Sequence, residues 1–164
     1  MGKYFKYGIH TIQSENQIPK ELIEDKCTFY VKINGKDIKD YEFDYMDIMQ
    51  NAFLFHTKDC IGNPMAFKDW MTDLSWLVYD TEEPLEDDFY GYKNILLVFE
   101  HWNDVGKGWF SSGQKLRDKI LGDFRGNYVN EYGMNVGSLF KEYDEDYGDL
   151  ENDGLDIFNI YLIP

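Results

Sequence analysis

The chain has 164 residues, 43% of them hydrophobic and 18% aromatic, and carries a formal net charge of −15 from 31 acidic and 16 basic side chains. The length suits one domain with a real core, and the apolar content excludes a disordered acidic tail. So strong an acidic balance argues against nucleic-acid binding, which needs cations to neutralise phosphates. It favours steered association with basic proteins, although solubility alone is served by such a charge.

At the N-terminus, "MGKYFKYGIH" has no apolar core of a signal peptide, and Lys6 stands where the myristoylation pattern needs Ser or Thr. Apolar runs such as "ILLVF" are too short to cross a bilayer. The expectation is a cytoplasmic protein, a monomer, with no membrane partner. The stretch "YFKYGIHTI" offers an edge strand or hairpin within an extension covering residues 1–26.

The first clear strand is "TFYVKI", residues 28–33, β-branched and aromatic and closed by the Asn34-Gly35 turn signal. Tyr45, Ile48, Met49, Ala52 and Phe53 then recur at helical spacing, with Asp44 as N-cap. The next helix begins at "NPMAFKDWMTDLSW": Asn63 suits the N-cap and Pro64 the first helical position. Phe67, Trp70, Met71, Leu74, Leu77 and Val78 extend one apolar stripe to about residue 78. "ILLVF", residues 95–99, reads as a strand buried on both faces. Leu116, Ile120, Leu121 and Phe124 mark a third helix starting near Ser111 or Ser112. Val136, Leu139, Phe140, Tyr143 and Tyr147 mark a fourth, capped by Asn135 and stopped at Gly148. "DIFNIYLI", residues 156–163, closes the chain as a strand.

Strands separated by helices predict an α/β fold with a parallel sheet and right-handed crossovers. The expectation is a three-stranded parallel sheet flanked by about four helices. The acid runs at 80–88 and 141–156 read as solvated loops or helix ends.

Chemistry is sparse. His10, His56 and His101 belong to no zinc pattern, and Cys27 and Cys60 to no CxxC pair, so neither a metal nor a cofactor is expected. "GKGWFSSG" lacks the spacing of a phosphate loop and reads as a plain loop. "DLENDG", residues 149–154, opens like a calcium loop but puts Ile160 where a bidentate Glu belongs.

What remains is the helix after Asn63. It sets Asp69 and Asp73 one turn apart, where like charges repel. With Thr72 and Trp76 they form an outward face at i, i+3, i+4 and i+7. Carboxylates pair with Arg or Lys through charge-assisted hydrogen bonds, and tryptophan is a frequent interface anchor. The plain alternative is a partly buried Trp76 beside ordinary surface acids.

"AFKDWMTDL", with Gly-Asn just before it, resembles the second-helix motif of the barstar family. "VKINGKDI" resembles that family's first strand and turn, "NILLVFEHW" its middle strand, and "LDIFNIYLIP" its last. The resemblance spans about residues 27–102 and 154–164, which implies a barstar-like domain over 27–164 with an enlarged 103–153 region. It also implies an inhibitor of a ribonuclease, or an immunity protein against a related toxin. In that family the second helix and the loop before it enter a basic active site, their carboxylates standing in for RNA phosphate. By position, Asp69 matches the motif's central Asp, Ala66 its Ala and Asn63 its Asn. The motif's first Asp falls on Met65, so the resemblance leaves that contact either absent or supplied by another residue such as Asp73. Cys60 lies where the family has a loop aromatic, with His56 and Asp59 nearby, and Glu142 corresponds to a fourth-helix Glu.

The implied function is a non-enzymatic block on a basic nuclease toxin through an acidic helix. The partner-binding residues expected are Asp69, Asp73, Trp76, Thr72, Asn63, Asp59, His56 and Glu142. Two other readings stand beside it. One is an acidic protein-interaction domain, or an immunity protein against a non-nuclease toxin. The other is an enzyme using Asp69 and Asp73, or His101 near the end of the middle strand, where parallel sheets put their chemistry.

Overall fold

The computed structural model of the chain describes residues 7–78, 89–108, 113–125 and 157–164. In chain order these carry strand β1 (Tyr7–Thr11), helix α1 (Lys20–Glu24), strand β2 (Thr28–Asn34), helices α2 (Met46–Ala52) and α3 (Pro64–Asp73), strand β3 (Asn94–Glu100), helix α4 (Gly113–Arg125) and strand β4 (Ile157–Leu162). The fourth helix expected over 135–148, Glu142, "DLENDG" and both acid runs lie outside the described residues.

The architecture is α/β. Among the described residues the strand pairs are all parallel, in the order β1-β4-β3-β2. Among the described residues the sheet thus has four strands where three were expected, because the edge strand offered by "YFKYGIHTI" is present: β1 pairs with β4, Tyr7 opposite Phe158 and Thr11 opposite Leu162.

Burial explains the sequence patterns. β3 is a central strand covered on both faces, and Ile95 to Phe99 are all fully buried, which is why that run is continuously apolar. β2 lies at the other edge and alternates in its second half, with Val31 and Ile33 buried and Lys32 and Asn34 exposed. One face of the sheet, through Ile95, Leu97, Phe99, Phe158 and Ile160, packs on residues of α2, α3 and α4. The other, through Leu96, Val98 and Tyr161, packs on Ile12, Ile18 and Leu22 beside and within α1.

The Asn34-Gly35 turn has a steric origin. A Cβ on Gly35 would stand 2.3 Å from the backbone oxygen of His101, so glycine is needed where the end of β2 passes the end of β3.

Two helix boundaries differ from expectation. The cap before α2 is Asp40, not Asp44: its carboxylate accepts from the backbone N–H groups of Phe43 and Asp44 at 2.9 and 2.8 Å. A π-helical turn over Tyr41–Tyr45 follows and leads into α2. The Asp44 carboxylate instead accepts the N–H of Lys39 at 2.8 Å. Helix α3 stops at Asp73 rather than near residue 78, because Leu74 adopts the left-handed conformation, φ 45°. That conformation costs a non-glycine residue about 1–2 kcal/mol. It is held because the Leu74 side chain is fully buried and its carbonyl accepts from Leu77 and Val78 at 2.9 and 3.2 Å.

Candidate functional site

Helix α3 is fixed at both ends, which is what presents its outer side. Asn63 caps it, its side-chain oxygen accepting the Ala66 N–H at 3.2 Å, and Pro64 occupies the first turn. Phe67 and Met71 anchor its inner side in the core. Opposite them, Asp69 and Asp73 are both exposed. Among the described residues no Lys or Arg forms an ion pair with either.

Two electrostatic effects act against this arrangement. The carboxylates are four residues apart, the spacing at which like charges repel. Asp73 is also the last helical residue, with no basic residue in that turn, and a helix C-terminus disfavours negative charge. The neighbouring Lys68 also acts on α4, where its charge is one of those that pull the pKa of Asp123 down against burial.

Thr72 is half-buried and its hydroxyl is engaged by its own helix, donating to the backbone oxygens of Lys68 and Asp69 at 3.0 and 3.2 Å. Trp76 does not continue the helical face. It lies past the end of α3, half-buried, and its Nε1–H donates to the Phe53 carbonyl at 2.9 Å. Its ring packs against Trp70, His56 and Phe55 at centroid distances of 5.2, 5.3 and 5.7 Å. The result is an aromatic shelf beside α3, with the exposed His56 ring at its outer edge.

The loop before α3 is held by Gln50, a buried residue of α2. Its side-chain oxygen accepts the Cys60 N–H at 3.3 Å, and its amide donates to Asp47 Oδ1 at 3.1 Å and to the Lys58 carbonyl at 3.4 Å. Lys58 Nζ returns a bond to the Gln50 carbonyl at 3.0 Å. Within this loop Asp59 is exposed and accepts the Thr57 hydroxyl at 2.7 Å. Cys60 is fully buried, and burial, with the Asp59 charge beside it, pushes its thiol pKa up, which suppresses the reactive thiolate.

The expected site residues therefore fall into groups. Asp69, Thr72 and Asp73 share α3, Asn63 caps it, and His56 and Asp59 lie in the loop leading to it, while Trp76 joins His56 on the aromatic shelf. Glu142 is outside the described residues. Three contributors were not foreseen: Gln50 as the anchor of the loop, Trp70 as a half-buried member of the shelf rather than of the inner stripe, and the exposed apolar side chains of Phe43, Ile61 and Met65 near the start of α3. No signal in the sequence singles out the last group, since Cys60 beside Ile61 is fully buried.

His101, at the end of β3, is exposed and left-handed, φ 51°, with Nδ1 3.8 Å from Asp104 Oδ2. Asp104 is drawn mainly to Lys107, whose Nζ lies 2.6 Å from Oδ1 and holds the carboxyl below the usual range. Among the described residues no group of three or more His, Cys, Asp or Glu side chains is arranged to hold a metal ion. Among them, too, no helix is long and apolar enough to cross a membrane. No protein-family model, curated protein or solved structure matches the chain.

Proposed function

We propose that the chain is a binding protein that occupies the basic active site of a toxin, a nuclease in the first instance, and acts as its inhibitor or immunity partner. One observation carries this reading. Asp69 and Asp73 stand exposed on a helix whose ends and inner side are fixed, in positions that cost the isolated domain electrostatic energy. A cationic cleft removes that cost and adds attraction, and close interfacial charge pairs show coupling of about 1.5–7 kcal/mol. The net charge of −15 supports fast, steered encounter with a basic partner. The likeness of "AFKDWMTDL" to the second-helix motif of barstar-like proteins points the same way.

The test is inhibition of a basic ribonuclease by the purified chain, followed through a salt titration. Inhibition that weakens steeply with salt, and drops sharply for Asp69→Ala without loss of fold, is the expected result. Tight binding to a basic protein without inhibition of nuclease activity moves the chain to the class of acidic interaction domains, or of immunity proteins against other toxins. Undiminished binding by Asp69→Ala removes α3 from the interface.

A further inference from the structure

Three large apolar side chains are exposed at one place in the fold: Phe43 is 61% exposed, Ile61 42% and Met65 58%. They come from separate segments brought together by the backbone. The Gly62 N–H donates to the Glu42 carbonyl at 3.2 Å, so the π-helical turn bearing Phe43 is pinned to the loop bearing Ile61. Met65 follows within the first turn of α3. Folding does not demand this exposure. The Tyr41 and Tyr45 side chains of the same turn are buried, and so is Cys60 next to Ile61.

The charge around the patch narrows what can cover it. From Asp40 to Asp73 the chain carries seven acids and two lysines. A second copy of this chain would bring net charge −15 against that field, so self-association is opposed. A partner that is basic and carries an apolar side chain among its cations meets both conditions: its charge is attracted by the surround, and its apolar group removes exposed surface from water. Interfaces of this kind have an apolar centre and a polar rim.

We infer that Phe43 and Ile61, with Met65 at their margin, form an apolar seat for a hydrophobic side chain displayed by the basic partner. This rests on the acidic-plug reading above and adds the partner's chemistry: a cationic surface with an exposed aliphatic or aromatic residue. The seat adds lifetime to the complex by apolar burial, beside the steering and the coupling that the carboxylates supply.

Two lysine-rich peptides of equal length and charge, one with Trp-Leu at its centre and one with Gly-Gly, test this by calorimetry and amide-shift mapping on the full chain. The Trp-Leu peptide is expected to bind about tenfold tighter and to shift the amides of residues 42–44, 60–63, 65 and 66. Phe43→Ser with Ile61→Ser should erase the advantage while leaving the Gly-Gly peptide's affinity in place, with circular dichroism reporting the fold. Equal affinity of the two peptides for the wild type, or shifts that map elsewhere, overturns the seat and leaves the acidic plug standing. Binding by neither peptide overturns both. Concentration-dependent dimerisation abolished by the double variant assigns the patch to a second copy instead and overturns the inference.

Discussion

The indole N–H of Trp76 donates to the carbonyl oxygen of Phe53 at 2.9 Å, so the turn that ends α3 is tied to the residue that ends α2. Both neighbouring backbones are unusual: Leu54 and Leu74 have φ of 57° and 45°. The bond and the aromatic shelf hold the two left-handed turns together. Trp76→Phe keeps much of the ring and removes the donor. It is expected to cost about 1–2 kcal/mol in urea unfolding and to raise hydrogen exchange at residues 74–78. A wild-type unfolding midpoint for this variant would show the bond to be idle.

Asp73 should be a residue that the isolated domain is better without. It ends a helix and faces Asp69 one turn back. Asp73→Asn is expected to raise stability by about 0.3–1 kcal/mol at low ionic strength, with the gain shrinking as salt is added. Under the function proposed above, the same change slows association with a basic partner. Thermal melts at two salt concentrations and stopped-flow association read the two effects separately.

Gln50 carries the loop before α3 on its side-chain amide. Gln50→Leu retains the volume and leaves the Cys60 N–H without its acceptor. A stranded buried donor costs about 1–3 kcal/mol, and the expected loss is of that size. Cys60, fully buried in the wild type, should then react faster with a thiol reagent under native conditions. An unchanged labelling rate would show that the loop is held by its other contacts.

Gly35→Ala should be among the most damaging single changes. Its Cβ would meet backbone rather than a mobile side chain, so the ends of β2 and β3 must separate. A loss of about 2–3 kcal/mol or more is expected, read from denaturant unfolding. A neutral result would mean that the two strand ends yield at little cost.

Asp123 sets a pH dependence. Its carboxyl is half-buried beside Tyr41, whose hydroxyl donates to it. Burial raises its pKa, while the Tyr41 bond and the charges of Lys119 and Lys68 pull the other way without cancelling that rise. A folded-state pKa above the unfolded one means the folded form holds the proton more tightly. The associated stability is fully present below the ordinary value of 3.8 and is lost as pH rises through the elevated one. Asp123→Asn keeps an oxygen for Tyr41 and carries no charge. It should exceed wild type in stability at pH 7, with the difference closing toward pH 3.8. A difference that grows on acidification would reverse the sign and place the dominant effect on the lysines.

Much of this architecture was legible because burial writes itself into residue type. A strand enclosed on both faces has no polar position to alternate with, so Ile95–Phe99 could be recognised without a partner in view. Asn63-Pro64 announced the start of α3 through the chemistry of its first turn. The end of α3 was less visible. Leu77 and Val78 continue a helical spacing although they reach the core through a turn, and the left-handed Leu74 that produces this is set by tertiary burial, not by local preference. The cap before α2 falls on Asp40 rather than Asp44, and the sequence does not choose between them: two aspartates four residues apart offer the same chemistry, and only the π-helical turn between them decides. At the site, the exposed carboxylates of Asp69 and Asp73 could be read from helical spacing. Trp76 could not, because its place depends on a carbonyl in another helix.

The pairing of β1 with β4 has a consequence for how the molecule assembles. Tyr7 lies opposite Phe158 and Thr11 opposite Leu162, so one edge of the sheet closes only when segments from far apart in the sequence meet. Contacts of such long range are slow to form because the intervening chain must first be gathered in. During synthesis, β2 and α3 emerge well before β4 exists to join them. The central strand β3 must therefore wait with one flank open, and its apolar run is the segment in greatest need of protection until β4 arrives.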